Sequence, residues 1–399
     1  MTDLSSFGFS LPTKVIVEKG VVSHLPAICR EYGSKVLFVY SVDLKEMAGQ
    51  VKELLQSEGF SVTDFEQKLP ESTCDFIDAA TKTLANNSFD LVVGLGGGSA
   101  IDLAKAFAIS LTQAEGIWMY ANLSNRPPLP LDAPVLPVVA IPTTSGTGSE
   151  VTPYAVLTKE DTQQKGTIQE PSIFPKAALI DPEYTASMPP ALTASTGMDA
   201  FAHALEATIN ISKVAPMAEL FGKAAMKLIF QWLPKAYTDG SDLVARQQMA
   251  YAATLAGMAI SHRGTTTAHA IAEPLGALTH IPHGTGVTIS TVPVLRYSLP
   301  RAASSLAPLW REVLGKDALE NEVVEATAFV DSVENLISSV GLNKTVRDLL
   351  GPEKCEGLSE LLVRNILEFK FRPLKQHPVE FTEADLLPIA NTIVFGDNT

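Results

Sequence analysis

Histidines cluster in one part of this chain. Four of its seven histidines fall within a window of 22 residues, namely His262, His269, His280 and His283. A fifth, His203, follows Asp199 by four residues, so on a helix the two side chains share one face. One carboxylate and three imidazoles can hold a divalent cation, although each feature alone is more typical of a helix hydrogen bond or a core histidine. Their combination predicts a metal centre.

Two of the clustered histidines are spaced to face the same ion. His269 and His283 are separated by an apolar stretch that contains Pro274. The residue before a proline disfavours helical geometry, so the sequence predicts that a helix ends at Glu273–Pro274 and that the chain then turns back. In that arrangement both imidazoles approach one cation.

Composition restricts the class of protein. The chain has 399 residues, 46% of them hydrophobic and 19% charged, which favours a globular protein with two domains. A net charge of −14 without a basic block argues against nucleic acid as a partner. No apolar run reaches the roughly 20 residues that span a bilayer and no secretory signal is evident, so no membrane association is expected. Three scattered cysteines argue against disulfides and thiolate zinc sites and favour the cytoplasm.

The first half of the chain alternates short β-branched runs with helical patterns. Strands are predicted at 35–40, 61–65, 91–95 and 135–141, and helices at 47–59, 73–87 and 101–110. This alternation predicts a parallel sheet covered by helices, as in Rossmann-like domains.

The composition changes after Pro182, where helix-forming residues dominate and strands become hard to find. Helices are expected to begin near Thr193, Pro216, Asp242, Ala268 and Asn321. We therefore expect an α/β domain at 1–182 and an all-helical domain at 183–399.

A glycine cluster follows the strand predicted at 91–95. It consists of Gly96, Gly97, Gly98 and Ser99 and stands where the strand gives way to a helix. Backbone N–H groups at such a turn, with the positive end of a helix behind them, bind pyrophosphate, and glycine allows the close approach. The cluster matches neither a Walker A loop nor the GxGxxG fingerprint, and a tight packing turn is the alternative.

A second loop, at 142–150, follows the strand predicted at 135–141. It is dense in hydroxyl groups, those of Thr143, Thr144, Ser145 and Thr147. A loop at the carboxyl end of a strand in such a sheet suits a dinucleotide, although this one alone could be an ordinary turn.

Four motifs in this order resemble the iron-dependent (group III) alcohol dehydrogenases. They are Gly94-x-Gly-Gly-Gly-Ser-x-x-Asp102-x-x-Lys105, Pro142-Thr-Thr-Ser-Gly-Thr-Gly-Ser-Glu150, Met188-Pro-Pro190 to Gly197-Met-Asp199-Ala-x-x-His203, and Pro282-His283-Gly284. The resemblance extends from about Leu11 to the last helix. It implies an N-terminal dinucleotide-binding α/β domain and an all-helical metal-binding domain, a fold shared with dehydroquinate synthase.

The resemblance also implies which residues act. The metal ligands would be Asp199, His203, His269 and His283. The pyrophosphate would lie against Gly96, Gly97, Gly98 and Ser99. Asp102 would stand near the nicotinamide, where it is a catalytic candidate. The other cofactor contacts would be Thr143, Thr144, Ser145, Thr147 and, at the ribose, Lys165.

The implied reaction is hydride transfer between NAD or NADP and a small alcohol or aldehyde, with a cation polarising the substrate oxygen. Fe²⁺ is the metal of the family, although the ligand set also suits Zn²⁺ or another divalent ion. A homodimer or higher homo-oligomer is expected. The alternatives are a hydroxyacid–oxoacid transhydrogenase and a reductase of an anionic aldehyde that bears a carboxylate, phosphonate or sulfonate. The ligand motif argues against the glycerol dehydrogenase and dehydroquinate synthase branch, and its completeness argues against an inactive relative.

Two positions depart from the family pattern. Many members carry a histidine four residues after the third ligand, where this chain has Glu273. This carboxylate could transfer a proton, contact the substrate or merely lie at a helix end. Ser41 stands where NAD-preferring relatives often carry an aspartate, so NADP could be accepted unless Asp43 restores the repulsion.

Three further residues near the metal motifs have open roles. Arg263 could meet an anionic substrate or form a surface ion pair, the more common use of such a residue. His262 and His280 are expected to be structural.

Overall fold

The computed structural model describes residues 6–68, 73–123, 126–162, 164–369 and 371–396. The chain forms two compact units. The first extends from Ser10 to Met188, and the second contains the described residues before Ser10 together with those from Pro189 onward. Pro182, the predicted domain boundary, is the first residue of a short helix inside the first unit.

The first unit combines strands with helices. Its strands are β1 (Lys14–Val17), β2 (Lys35–Ser41), β3 (Ser61–Gln67), β4 (Leu91–Gly96), β5 (Val138–Pro142), β6 (Tyr154–Lys159), β7 (Gln164–Gln169) and β8 (Ala177–Ile180). Its α-helices are α1 (Leu25–Arg30), α2 (Lys45–Ser57), α3 (Cys74–Leu84), α4 (Gly98–Ser110) and α5 (Pro182–Thr185). Six strands form a parallel sheet in the order β1-β8-β5-β4-β2-β3, while β6 and β7 form an antiparallel hairpin. The predicted parallel sheet is confirmed, and the hairpin is an addition that the sequence pattern does not predict.

Element boundaries differ from the predicted ones by a few residues. β5 begins at Val138 rather than at 135, because Pro137 has no N–H to donate to the sheet. α4 begins at Gly98 rather than at 101, since the glycine turn itself forms its first turn. α3 ends at Leu84 rather than at 87, where two asparagines favour a turn.

The sheet is covered on both faces. Successive side chains of β2 point to opposite sides, Leu37 and Val39 to one and Val36 and Phe38 to the other, and all four are fully buried. The first pair packs with residues of α3 and α4, and the second pair with residues of α1 and α2. Burial on both faces leaves the strand ends for the polar loops, as in other α/β sheets.

The regular secondary structure described in the second unit is entirely helical. Its α-helices are α6 (Pro190–Ile209), α7 (Pro216–Thr238), α8 (Leu243–Arg263), α9 (Thr267–Thr279), α10 (His283–Glu312), α11 (Glu322–Ser339), α12 (Val346–Leu350), α13 (Leu358–Phe369), α14 (Phe371–Lys375) and α15 (Glu383–Phe395). The five helix starts predicted from the sequence are confirmed to within three residues. In the described part of the chain, none of the helices has both the length and the apolar character that crossing a bilayer would require.

The predicted helix end at Glu273–Pro274 is wrong. α9 continues through Pro274 and ends at Thr279. A proline inside a helix costs about 3 kcal/mol. Ile271 and Leu275 on either side are buried, and burying each such side chain contributes about 2 kcal/mol. Tertiary burial therefore outweighs the local preference to end the helix.

Candidate active site

The four predicted metal ligands lie on three helices of the second unit. Asp199 and His203 are one turn apart on α6, His269 is in the first turn of α9, and His283 is the first residue of α10. Asp199, His203 and His269 are buried, whereas the side chain of His283 is 34% exposed. The structure thus brings together all four residues that the sequence analysis singles out.

A glycine allows α10 to begin beside α6. A Cβ atom at Gly284 would lie 2.3 Å from the carbonyl oxygen of Ser195 in α6. The start of α10 therefore touches the backbone of α6, which carries His283 to Asp199. Any side chain at position 284 would force the two helices apart.

One oxygen atom lies at the centre of the cluster. Oδ1 of Asp199 is 3.7 Å from Nε2 of His203, 3.5 Å from Nε2 of His269 and 3.6 Å from Nε2 of His283. A tetrahedral cation with bonds of about 2.1 Å would separate its ligand atoms by about 3.4 Å. Asp199, His203 and His269 each offer a ligand atom, and these atoms lie within 4.8 Å of one another. The spacing fits a single metal ion.

Two of these ligand atoms form no hydrogen bond within the described part of the chain. Oδ1 of Asp199 and Nε2 of His269 are buried and have no hydrogen-bond partner in the described part of the chain. Buried polar atoms in proteins are nearly always paired, so an unpaired carboxylate oxygen facing an unpaired imidazole nitrogen requires an explanation. A cation bonded to both atoms would explain why they are buried without a hydrogen bond.

The protonation states of Asp199 and His203 also suit metal binding. Burial alone would raise the pKa of Asp199, but the three histidines around it, His203 first, hold that pKa well below its usual range. Burial lowers the pKa of His203 to about 4. The carboxylate is therefore ionised and the imidazole neutral at neutral pH, which are the forms that bind a cation.

His269 is the basic member of the cluster. Burial lowers its pKa, but the carboxylates of Glu206 and Asp199 outweigh burial and raise that pKa to about 10. In the absence of a cation, the imidazolium donates a hydrogen bond from Nδ1 to Glu206 and is attracted to the charge of Asp199 across 3.5 Å, without a hydrogen bond to it. A metal ion would therefore compete with the proton at Nε2, and metal binding would release that proton.

Glu206 is a residue of this site that the sequence analysis missed. It is buried on α6, and one of its carboxylate oxygens accepts a hydrogen bond from Nδ1 of His269. A signal was present, because Glu206 lies seven residues after Asp199 and three after His203, on the same helical face. What the sequence does not reveal is that α9 begins opposite this face.

The remaining candidates around the cluster have distinct surroundings. Glu273 is half-buried on α9, one turn beyond His269. Arg263 forms an ion pair of 2.7 Å with Glu219 and donates to the carbonyl oxygen of Thr208 at 3.2 Å, so its guanidinium is held by the protein itself.

The two other clustered histidines take part in local structure. Nδ1 of His262 is 2.9 Å from the carbonyl oxygen of Met258, and the imidazole stacks on Phe9 with the ring centroids 4.4 Å apart. His280 is exposed and follows the last residue of α9 with a left-handed φ of 58°.

The two loops predicted to bind the cofactor touch each other in the first unit. The glycine turn joins β4 to α4, and the loop at 142–150 follows β5, the neighbouring strand. The N–H of Thr143 donates to the carbonyl oxygen of Gly96 at 2.9 Å. A Cβ at Gly98 would lie 2.5 Å from Cγ2 of Thr147, and one at Gly97 would lie 3.3 Å from Cγ2 of Thr144. The two loops form one continuous surface at the carboxyl ends of the strands.

Ser41 and Ser99 lie at the same edge of the sheet. Ser41 ends β2, and its Oγ would be 2.6 Å from a Cβ atom at Gly96, which has a φ of 150°. Ser99 is exposed in the first turn of α4. Ser145, by contrast, is buried, and its hydroxyl has no hydrogen-bond partner in the described part of the chain.

A buried lysine braces the loop at 142–150. Nζ of Lys105 donates to the carbonyl oxygens of Ser149 and Tyr154, both at 2.7 Å, and burial lowers its pKa to about 8. Asp102 accepts from Oγ of Ser149 at 2.5 Å and from the N–H of Val156 at 2.9 Å. Both oxygens of Asp102 are thus engaged with the protein, and its contact with the nicotinamide stays a prediction. Lys165, half-buried on β7, likewise stays a predicted ribose contact.

The chain resembles known proteins along most of its length. Residues 12–182 match the family described as iron-containing alcohol dehydrogenase. Residues 193–392 match the family described as Fe-containing alcohol dehydrogenase family, C-terminal. The chain is 34% identical over 380 residues to long-chain-alcohol dehydrogenase 1 of Geobacillus thermodenitrificans, with 94% of each chain covered.

Solved structures share the fold. The archaeal halo-thermophilic Red Sea brine pool alcohol dehydrogenase superposes with a TM-score of 0.91 at 27% identity, covering 98% of this chain and 99% of that one. Sulfoacetaldehyde reductase from Bifidobacterium kashiwanohense, solved with NAD⁺, gives a TM-score of 0.84 at 28% identity, covering 98% of this chain and 100% of that one.

The fold and the site define a metal-dependent oxidoreductase that uses a nicotinamide dinucleotide. The chain belongs to the iron-containing alcohol dehydrogenase family. The predicted family, fold class and enzyme class, an NAD(P)-dependent alcohol dehydrogenase acting on a small alcohol or aldehyde, are confirmed.

Proposed function

We propose that Asp199, His203, His269 and His283 hold one divalent ion, Fe²⁺ in the first instance, at which a small uncharged alcohol is oxidised or its aldehyde reduced. The observation that carries this proposal is the approach of three Nε2 atoms to within 3.5 to 3.7 Å of one buried carboxylate oxygen. A divalent cation at this position supplies Lewis acidity toward a substrate oxygen. Zn²⁺ or another divalent ion would satisfy the same donor atoms.

The cofactor is proposed to lie on the surface formed by the two loops of the first unit. Gly96, Gly97, Gly98 and Ser99 would bind the pyrophosphate, since α4 points its positive end at this turn. Thr143, Thr144, Ser145, Thr147, Lys165 and Asp102 would contact the rest of the dinucleotide. Lys105 supports this proposal because it ties Ser149, at the end of the loop at 142–150, to Thr152 and Tyr154 just beyond it.

Use of NADP as well as NAD is proposed from Ser41. Its hydroxyl stands beside the glycine turn at the end of β2, where an aspartate would repel a 2′-phosphate. Asp43, two residues later, is exposed, and its carboxylate is the group that could repel the 2′-phosphate instead.

Glu273 is proposed to contact the substrate. It follows His269 by four residues on α9 and is therefore on the same face of that helix. A carboxylate there can accept a hydrogen bond from a substrate hydroxyl or take up a proton. It would also repel an anionic group, which favours uncharged substrates.

An anionic aldehyde is the second candidate substrate, supported by the structural likeness to sulfoacetaldehyde reductase. Arg263, the cation that would favour such a substrate, is already bound to Glu219 and to backbone carbonyls, which argues for the uncharged substrate. A hydroxyacid–oxoacid transhydrogenase is the remaining alternative.

One experiment separates these possibilities. The chain is stripped of metal, reloaded with Fe²⁺ or Zn²⁺, and supplied with uncharged alcohols, hydroxyacids and sulfonated or carboxylated aldehydes, each with NAD(H) and NADP(H). Metal-dependent turnover of an uncharged alcohol with stoichiometric formation of reduced cofactor is the expected result. Turnover confined to anionic aldehydes selects the second candidate. Turnover between two substrates that added cofactor does not change selects the transhydrogenase.

A cytoplasmic homodimer or higher homo-oligomer is proposed as the working form. The buried, unpaired thiols of Cys29, Cys74 and Cys355 support a reducing compartment. Sedimentation of the full chain at several concentrations tests the assembly, and a single monomeric species at every concentration would refute it.

A further inference from the structure

Glu206 places a second negative charge beside the proposed metal ligands. Glu206 is 3% exposed, and besides Nδ1 of His269 its carboxylate accepts from the N–H of Ala268 at 2.8 Å and from Oγ1 of Thr266 at 3.0 Å. A carboxylate this deeply buried is retained only where it is fully hydrogen-bonded. Its partners all belong to the beginning of α9 or to the residue before it.

Glu206 caps α9 from another helix. Thr266 occupies the N-cap position of α9, yet its hydroxyl makes no capping bond. That hydroxyl donates to Oε1 of Glu206, which also accepts the backbone N–H groups of Ala268 and, at 3.3 Å, of His269. An anion at this end of a helix is stabilised by the unpaired N–H groups and the helix dipole. One oxygen of Glu206 thus fixes where α9 begins relative to α6.

The other oxygen of Glu206 fixes the imidazole of His269. It accepts a hydrogen bond from Nδ1, so a neutral His269 carries its proton on Nδ1 and leaves Nε2 free to face Asp199. His203 provides the contrast, because its Nδ1 is buried and has no partner among the described residues. Of these two imidazoles, His269 is the one whose orientation a carboxylate imposes.

A second layer of contacts holds Glu206. Nδ1 of His377 lies 3.2 Å from Oγ1 of Thr266, and Nε2 of His377 lies 2.9 Å from Oγ of Ser298. Thr266 has one hydroxyl proton, and the buried carboxylate of Glu206 is a stronger acceptor for it than a neutral imidazole nitrogen. Thr266 therefore donates to Glu206, and His377 lies within hydrogen-bond distance of both Thr266 and Ser298, so that its ring holds Thr266 in place.

We propose that Glu206 is the positioning residue of the metal centre, holding Nε2 of His269 toward Asp199, and that Thr266 and His377 hold Glu206 in place. The inference rests on the proposed function of the four ligands and adds the residues that pre-arrange one of them. Such outer contacts typically contribute about 10- to 100-fold to metal affinity.

The test measures metal binding by the full-length chain without reference to activity. Dissociation constants for Zn²⁺ are obtained by competition with a chromophoric chelator, and the visible spectrum is recorded after loading with Co²⁺. Glu206→Gln keeps the size of the side chain but loses its charge, and we expect it to weaken Zn²⁺ binding about 10- to 100-fold and to shift the Co²⁺ bands. Glu206→Asp should recover part of the affinity.

The matched control is Glu325→Gln. Glu325 is another buried glutamate of the second unit, where it accepts the N–H of Leu319 at 3.0 Å and pairs with Arg311 at 3.2 Å. We expect this variant to lose stability but to bind Zn²⁺ and Co²⁺ as the parent chain does. A fall in the melting temperature of metal-free Glu206→Gln with an unchanged Zn²⁺ dissociation constant and Co²⁺ spectrum would overturn the inference.

The contribution of His377 is tested by two substitutions. His377→Asn can still form a hydrogen bond with Thr266 and should keep most of the Zn²⁺ affinity, whereas His377→Leu cannot and should lose several-fold. Equal affinity in both variants and the parent chain would remove His377 from the network.

His269→Ala distinguishes failure of the positioning role from failure of the proposed metal site. If His269→Ala binds Zn²⁺ normally, the metal site itself is refuted. If Glu206→Gln binds Zn²⁺ normally and His269→Ala does not, only the positioning role is refuted.

Discussion

The metal cluster of the second unit and the cofactor loops of the first are built by opposite means. The cluster consists of side chains, one carboxylate and three imidazoles, delivered by three helices and aimed at one point. The loops depend on missing side chains, because Gly96 and Gly98 stand where a Cβ atom would collide with Ser41 and Thr147. A cation needs a few donor atoms at fixed distances, whereas a dinucleotide needs open backbone along its length.

This difference determines how each region can fail. The cluster should fail when an atom is removed, because each donor is indispensable. The loops should fail when an atom is added, because the space for the ligand is lost.

His269→Ala should cause the largest loss. It removes one donor and leaves Asp199 and Glu206 buried with one partner fewer, so we expect metal binding to disappear and activity to fall on the order of 10³-fold or more. Elemental analysis and steady-state kinetics measure both effects. The control is His280→Asn, which keeps a residue that tolerates a left-handed backbone and should leave metal content unchanged. Full metal occupancy in His269→Ala would show that the cluster survives the loss of a donor atom, and the contrast with the cofactor loops would then fail.

Glu273→Gln tests whether the functional side chains of the metal cluster extend one turn further along α9. If the carboxylate transfers a proton or accepts a substrate hydroxyl, kcat/KM should fall about 10- to 1000-fold while metal content and cofactor affinity stay intact. Glu273→His, which introduces the residue common in relatives, should retain part of the activity. Unchanged kcat, KM and pH profile in Glu273→Gln would leave Glu273 as a helix carboxylate without a role in the reaction.

Gly97→Val tests the cofactor loops by adding atoms. The nearest protein atom to a Cβ there is 3.3 Å away, so the fold can adjust to it, while the space for the pyrophosphate is lost. We expect the dissociation constant of the cofactor to rise by tens of fold, as measured by fluorescence titration. Gly49→Ala on α2, where a Cβ would meet nothing within 4 Å, is the control and should bind as the parent chain does. Equal binding by both variants would place the cofactor elsewhere.

Ser41→Asp should have the smallest effect. A carboxylate beside the glycine turn would repel a 2′-phosphate and shift the preference toward NADH by about 1–2 kcal/mol, a like-charge contact partly screened by solvent. The ratio of kcat/KM for NADPH and NADH in both proteins measures it. Exclusive use of NADH by the parent chain, with no change in Ser41→Asp, would mean that Asp43 or the backbone sets the choice.

The sequence predicts those features of the fold that depend on neighbouring residues. The strands of the parallel sheet, the helix starts and the glycine turn follow from periodicity and turn-forming residues, and the spacing of Asp199 and His203 marks a helical face. The wrong helix end at Pro274 shows the limit, because burial of the residues around it is decided by distant parts of the chain. Glu206 and Lys105 were missed as positioning groups for the same reason, since their partners lie about 40 to 60 positions later in sequence.

Glu206 also sets the electrical balance of the cluster. Together with Asp199 it contributes two negative charges, and imidazoles that bind a metal are neutral, so a doubly charged cation makes the group electroneutral. An ion of any other valence would leave net charge in a largely buried place, at a cost on the order of several kcal/mol. The proposed centre would thus be matched to a divalent charge as well as to the spacing of its ligand atoms. If the proposed ion is Fe²⁺, its oxidation to Fe³⁺ would leave one positive charge that these side chains do not balance, and the buried surroundings would oppose the loss of that electron.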